Sequence, residues 1–302
     1  MKAVILEEFG GPDRLHVAEV PAPEPATGQV RVKVQAAGVN PFDGKVRSGA
    51  TEAFFTTPLP AILGLELAGV VDALGDGVTG TAVGDRVYGW ADGPAGSYAE
   101  LSLSTTYGTV PDTLEFTSAV TLPVAAETSQ RGLTLLGLER GETLLIHGAS
   151  GAVGQLATQF AVAQGVRVIG TASAANQELV RSLGATPTTY GEGLVERVRS
   201  LAPNGVDAVF DTAGKGALPD SIELRGGTDR IVTIADPAAR GLGITFTSSS
   251  DRSGVDLDVL ARLLASGELR TTIGAVLPFD EAAKAHELVD GGHSGGKVVL
   301  TP

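Results

Sequence analysis

Residues 143–154 read TLLIHGASGAVG, a short apolar run that meets glycines at 148, 151 and 154 and then passes into helical spacing. Val153, Leu156, Ala157, Phe160 and Ala161 recur on one helical face, Gly165 offers a stop, and residues 166–169, VRVI, follow as the next strand. A strand, a glycine turn and a helix in this order are how proteins cradle a dinucleotide pyrophosphate. Glycine keeps the turn tight and the backbone N–H groups close to phosphate, while the helix N-terminus adds partial positive charge. Ser150, Gly151, Ala152 and Val153 are therefore the expected phosphate contacts. The spacing is G-x-x-G-x-x-G rather than the stricter G-x-G-x-x-G, and glycine triplets also mark ordinary strand-to-helix turns. The flanking elements are what give this one weight.

The 302 residues are enough for two domains, each with its own core. No apolar run approaches the roughly 20 residues that a membrane helix requires. The N-terminal apolar patch is too short for a signal peptide and acidic residues follow it, so a cytoplasmic location is expected. With no cysteine there can be neither a disulfide nor a thiolate metal site. His16, His147, His286 and His293 show no metal-ligand spacing, and no metal is predicted. A net charge of −13 without a basic stripe argues against nucleic acid and anionic membranes as partners.

The chain changes character near Leu122. Before it, short strands with period-two alternation, such as residues 29–34, 67–71 and 85–88, are separated by turn chemistry. After it, strands at 207–211 and 230–235 alternate with helices, including 176–183 closed by Gly184, which reads as a doubly wound parallel sheet. A helix at 256–265, another from 278 to 288, and a strand at 296–300 complete the pattern. That last strand is expected to rejoin the first domain.

With the glycine turn stand MKAV at 1–4, AAGVNPFDGK at 36–45, VGDRVYG at 83–89 and GKVVL at 296–300. Together these resemble the zinc-independent medium-chain dehydrogenase/reductases, in the quinone oxidoreductase and enoyl-reductase-like group, over nearly the whole chain. The resemblance implies an α/β protein with a GroES-like β domain, residues 1–121 completed by 266–302, and an NADPH-binding Rossmann domain, residues 122–265. It implies ligands at the carboxyl ends of the strands and a homodimer. Zinc-dependent relatives place a cysteine near Asn40 and a His-Glu pair where this chain has Leu65-Glu66. Without that Lewis acid, the chemistry left is hydride delivery to an already electrophilic acceptor, a quinone or an activated enone. A pathway-specific enoyl or ketone reductase and a non-enzymatic NADPH-binding protein are the alternatives.

The resemblance points to Asn40, whose amide would bond the nicotinamide ribose or polarise a substrate carbonyl, and to Asp43 as a group that lines the cleft or exchanges protons. Lys45 follows in the same motif, where an exposed ion pair is its simpler role. Some enoyl reductases carry a tyrosine soon after this segment; here stand Phe54 and Phe55. Thr128 matches a threonine that reaches the cofactor, and Glu127 beside it would make the nicotinamide pocket more acidic. After the second strand of the cofactor domain, where NAD-binding folds put Asp or Glu on the ribose hydroxyls, this chain has GTASAAN at 170–176. Thr171, Ser173 and Asn176 offer neutral donors, Arg181 would add charge if it turned inward, and Tyr190 matches a tyrosine set against the adenosine phosphate. NADPH is the expected cofactor. Thr212 and Ala235, which follow strands, would border it. Substrate shape depends on the loops at 50–60 and 245–253.

Overall fold

The computed structural model describes residues 1–93, 95–248, 254–292 and 294–302. The chain forms two compact units, Met1–Val124 with Asp256–Pro302, and Ala125–Val255. Residues 249–253 of the second pocket loop, and His293, lie outside the described residues.

The first unit is built on a seven-stranded sheet whose central strand, Val30–Val39, is antiparallel to Glu66–Leu74 on one side and to Lys297–Thr301 on the other. Its valines alternate inward as far as Val34, after which Ala36, Ala37, Gly38 and Val39 are all buried. Small residues at that end let neighbours approach from both faces. Register then fixes the site: Gly38 pairs with Glu66, and Val39 with Val298, which sets Asn40 level with Lys297. The C-terminal strand does rejoin this unit.

The helix Leu257–Ser266 also belongs to the first unit, rather than closing the cofactor domain as the sequence suggested. The Tyr88 hydroxyl donates to the Leu257 carbonyl (2.5 Å) and Asp258 accepts from the Thr109 N–H (2.7 Å).

The second unit is a six-stranded, wholly parallel sheet. Numbered along this unit, its strands run 3-2-1-4-5-6: Thr186–Thr188, Arg167–Thr171, Thr143–His147, Ala208–Asp211, Ile231–Thr233 and Thr245–Phe246. This is the doubly wound dinucleotide-binding order, with its switch point beside Thr143–His147. Leu144 and Ile146 pack into the core on one face and Leu145 into the core on the other, as a strand's period of two requires. The strand expected at 230–235 stops at Thr233, because the Thr233 hydroxyl oxygen takes the N–H groups of Ala235 and Asp236 and turns the chain. No helix among the described residues is long and apolar enough to cross a membrane.

The three turn glycines are not equivalent. Gly148 has φ +76°, and a Cβ on Gly154 would lie 2.2 Å from the Gly148 carbonyl oxygen. Gly151 has φ −74°, and its nearest neighbour would be 3.4 Å away. Thus Gly154→Ala should lower stability by roughly 1–3 kcal/mol, whereas Gly151→Ala should change it by less than about 1 kcal/mol, both read from urea unfolding.

Candidate active site

In the first unit, Asn40 caps the helix Pro41–Arg47. Its N–H donates to Asp43 Oδ2 (2.8 Å), and the Asp43 N–H returns to the Asn40 carbonyl (3.0 Å). The side-chain amide is committed at both ends. Lys297 Nζ donates to Asn40 Oδ1 (2.6 Å), and Asn40 Nδ2 donates to Glu66 Oε1 (2.9 Å). An ammonium can only donate and a carboxylate can only accept, so these partners fix which way the amide points. Among the described residues the other Nδ2 hydrogen meets no acceptor.

Lys297 and Glu66 also form an ion pair, with side chains 3% and 0% exposed, and Glu66 Oε2 accepts the Val124 N–H (2.9 Å) where the helix Pro123–Leu136 begins. Neither residue was singled out from the sequence. Lys297 sat within a family marker with no role attached, and Glu66 was weighed only as part of a missing zinc pair. The signal was available in part: a lysine among the buried apolar residues of a terminal strand needs a buried anion.

Asp43 is buried, and burial raises its carboxyl to about 7 against the opposing pull of the Asn40 N–H and the Lys297 charge. The Tyr98 hydroxyl donates to Asp43 Oδ2 (3.1 Å). Burial holds that phenol well above its usual range, so it remains a donor. Behind Tyr98, His286 meets the ring edge-on, and Arg47 donates to His286 Nδ1 (2.9 Å) and to Asp290 (2.8 Å). Burial, with the Arg47 charge, lowers His286 to about 4, so the imidazole is neutral near pH 7. Lys45 is exposed and takes no part in the network. Phe55 stacks on Phe42 with ring centroids 5.8 Å apart, and the buried hydroxyl near the site comes from Tyr98 instead.

These groups do not suit zinc. Where ligands would stand there are an amide, a leucine and a carboxylate already neutralised by an ammonium. No cluster of three or more His, Cys, Asp or Glu suited to a metal occurs among the described residues.

In the second unit, the helix Ala152–Ala163 starts from Gly151 with no side-chain cap, so the first-turn N–H groups of Ala152 and Val153 have no intrahelical partner. That cradle fits an anionic diphosphate. Hydroxyls brace it from both sides: Thr171 Oγ1 accepts the Gly148 N–H (3.2 Å), and Thr212 Oγ1 donates to the His147 carbonyl (2.7 Å). Both threonines therefore shape the turn. Ser150 Oγ accepts from Asn176 Nδ2 (3.4 Å), Ser173 is half-buried, and the Tyr190 side chain is exposed. Arg181 turns outward onto Glu178.

The Ala235 N–H is held by Thr233, whose hydroxyl donates to Asp211 Oδ2 (2.7 Å); Asp211 Oδ1 accepts the N–H groups of Ala213 and Gly214 (3.0 Å each). Asp211, missed from the sequence, thus sets both loops. Glu127 is corrected by the structure. Arg131 binds both of its oxygens (2.7 and 3.2 Å), so no unpaired acid stands beside Thr128, whose hydroxyl donates to Glu127 at 3.3 Å.

Residues 26–116 match the alcohol dehydrogenase GroES-like domain, and residues 183–300 match the zinc-binding dehydrogenase domain. A quinone oxidoreductase of Lama guanicoe is 34% identical over 99% of this chain and 97% of its own length. The chain belongs to the zinc-independent medium-chain dehydrogenase/reductases, in the quinone oxidoreductase and enoyl-reductase-like group. Also similar are the chloroplastic NADPH-dependent alkenal/one oxidoreductase of Arabidopsis thaliana, 33% identical over 100% of this chain and 80% of that protein, and the solved structure of mycobacterial Rv1454c complexed with NADPH, 29% identical with TM-score 0.85 over 100% of both chains. The GroES-like match begins ahead of the central strand and carries Asn40, Asp43, Glu66 and Tyr98; the zinc-binding dehydrogenase match reaches Lys297 despite the missing ligands.

Two outcomes are expected in this medium-chain reductase. Lys297→Met, which strands the Glu66 charge, should destabilise by roughly 3–5 kcal/mol, and Glu66→Gln combined with Lys297→Met should recover much of that loss in urea unfolding. Asp43 is raised in the folded state from 3.8, so the stability it contributes is full below 3.8 and is lost as pH rises through about 7. Asp43→Asn should remove that slope from a pH series of unfolding curves.

Proposed function

We propose that this chain is an NADPH-dependent oxidoreductase that transfers hydride to a quinone or an activated enone without a metal. The observation that carries the reading is the uncapped glycine turn at the switch point of a 3-2-1-4-5-6 parallel sheet, in a chain whose other unit offers a polar cluster with groups that do not suit zinc. NADPH, when bound, supplies the hydride. Ser150, Ala152 and Val153 would hold the diphosphate through backbone N–H groups, while Gly151, expected from the sequence to join them, donates its N–H to the Gly148 carbonyl (3.0 Å) and keeps the turn tight. Ser173 and Tyr190 would take the adenosine phosphate end. Thr171 and Thr212 keep the turn in shape, and Thr128 and Ala235 border the cofactor.

Asn40 acts as a donor in this reading. Its oxygen is held by Lys297, which leaves the second Nδ2 hydrogen to bond the nicotinamide ribose or a substrate carbonyl. Asp43, whose Oδ2 accepts from the Asn40 N–H and the Tyr98 hydroxyl, holds on Oδ1 the proton that keeps its carboxyl neutral below about pH 7. The sequence reading of a cytoplasmic homodimer belongs to the same proposal.

The test is NADPH oxidation with a panel of quinones and α,β-unsaturated ketones, with product identification. Turnover of either class is expected, and Asn40→Ala should lower kcat by at least about tenfold. Gly151→Ala, folded as above, should weaken NADPH binding. NADPH bound tightly but oxidised by no acceptor would overturn the reductase reading in favour of a binding protein; reduction confined to enones would move it to a specialised enoyl reductase.

A further inference from the structure

The strands Arg167–Thr171 and Thr186–Thr188 run parallel with Thr171 level with Thr188, so the loops leaving their carboxyl ends stand side by side. In an open parallel sheet the ligand lies beyond those ends, with the adenosine ribose at the end of the second strand, here Arg167–Thr171. The loop at 172–176, ASAAN, contains neither a carboxylate for a ribose diol nor a cation for a phosphate. Gln177 stitches the two loops together, donating from Nε2 to the carbonyls of Ala172 (2.9 Å), Ser173 (3.1 Å) and Thr188 (3.1 Å).

The cation arrives from the helix after the neighbouring strand. Arg197, in Leu194–Leu201, folds back over residues 189–192. Its Nη1 donates to the Glu192 carbonyl (2.7 Å), and its Nη2 lies within 3.0 Å of the Thr189 carbonyl, 3.3 Å of Gly191 and 3.5 Å of Tyr190. Gly191 and Gly193, at φ +83° and +73°, let the loop curl around the guanidinium, and a Cβ on Gly193 would sit 3.0 Å from Arg197 Nη1.

All of these acceptors are neutral carbonyls. Among the described residues no carboxylate pairs with Arg197, and its Nε is buried without a partner. Its neighbours behave differently: Arg181 is held by Glu178, Arg199 by Glu223 and Arg225 by Asp229. Among the described residues Arg197 forms no ion pair, although Glu196 Oε2 stands 4.0 Å from where a Gly193 Cβ would lie, so its guanidinium is held by carbonyls and not by a carboxylate. Carbonyl dipoles fix the fork in place without the opposite formal charge of a salt bridge.

We propose that Arg197 determines the preference for a 2′-phosphorylated cofactor, setting a fixed positive charge against the Tyr190 loop that its carbonyl bonds hold. This rests on the NADPH reading above. A dianionic 2′-phosphate gains from the charge, whereas a ribose hydroxyl does not. A guanidinium that merely stapled the loop would affect both cofactors alike.

The experiment measures dissociation constants of NADPH, NADH, 2′,5′-ADP and 5′-AMP for the whole protein by calorimetry. The variants are Arg197→Gln, Arg197→Lys and, as a control on the same helix, Arg199→Gln, each checked by thermal unfolding. Arg197→Gln should weaken NADPH and 2′,5′-ADP by roughly tenfold or more, with NADH and 5′-AMP changed by less than about twofold. Arg197→Lys should keep part of the preference, and added salt should weaken NADPH binding more in the wild type than in Arg197→Gln. Equal weakening of all four ligands, or no change in any, overturns the assignment while leaving the cofactor reading intact. A wild-type protein that binds neither NADPH nor NADH overturns the cofactor reading and this assignment with it.

Discussion

Glu66 has no exposed surface, and much of the first unit is arranged to make its charge tolerable. Taking a carboxylate out of water is costly unless a counter-charge and hydrogen bonds replace the lost solvation. The ammonium comes from Lys297 near the C-terminus, one donor from Asn40 and another from the Val124 N–H. Gly38 supplies the room, because a Cβ there would lie 2.4 Å from Glu66 Oε1. These requirements give the bipartite chain a physical reason. The C-terminal strand must return beside Val30–Val39, since without Lys297 the site would hold an unpaired buried anion. The same bonds leave the Asn40 amide a single orientation, so the pair acts on specificity of geometry more than on net stability.

Asp211 plays a comparable part in the second unit. It lies at the end of a central strand, fully buried, and its two oxygens gather the Thr233 hydroxyl and the N–H groups of Ala213 and Gly214. Thr171 and Thr212 then brace the glycine turn from the strands on either side. A turn held in this way presents its free N–H groups without rearrangement, and a preorganised site avoids the ordering penalty that a flexible loop would incur on binding. The Thr171 and Thr212 hydroxyls are therefore occupied with the protein itself, which leaves backbone N–H groups as the donors in the proposed diphosphate site.

The glycine turn, the central strands and the returning C-terminal strand were legible in the sequence, because each is a local pattern: an apolar run, a change of period, a glycine stop. Thr171 and Thr212 were expected to border the cofactor, but their bonding inward depends on the approach of adjacent strands, which periodicity does not encode. Glu66, Lys297, Tyr98 and Asp211 escaped notice for a related reason. A buried ion pair joins residues far apart in the chain, and either member alone looks like an ordinary surface charge. The helix Leu257–Ser266 was recognised as a helix but assigned to the wrong unit, because its attachment rests on Tyr88 and Thr109, which its own pattern cannot reveal. Glu127 shows the opposite error. Its charge was read in isolation, although Arg131 stands one turn further along the same helix, a spacing at which charge pairing is expected.

The chemistry open to such a site follows from the charges within it. Lys297 and Glu66 neutralise each other, burial raises the Asp43 carboxyl to about 7, and His286 is uncharged near pH 7, so the cluster offers no strong electrophile. Under the proposed role of Asn40, the cluster's outward contribution is an oriented amide donor. One donor stabilises a developing negative charge by a few kcal/mol at most, well short of what is needed to make a plain alkene accept hydride. A quinone or an enone already delocalises the incoming charge onto oxygen, and for such acceptors orientation and a single hydrogen bond are sufficient help. Under that proposed role, the ion pair that holds Asn40 in place and the kind of acceptor reduced are two consequences of the same arrangement.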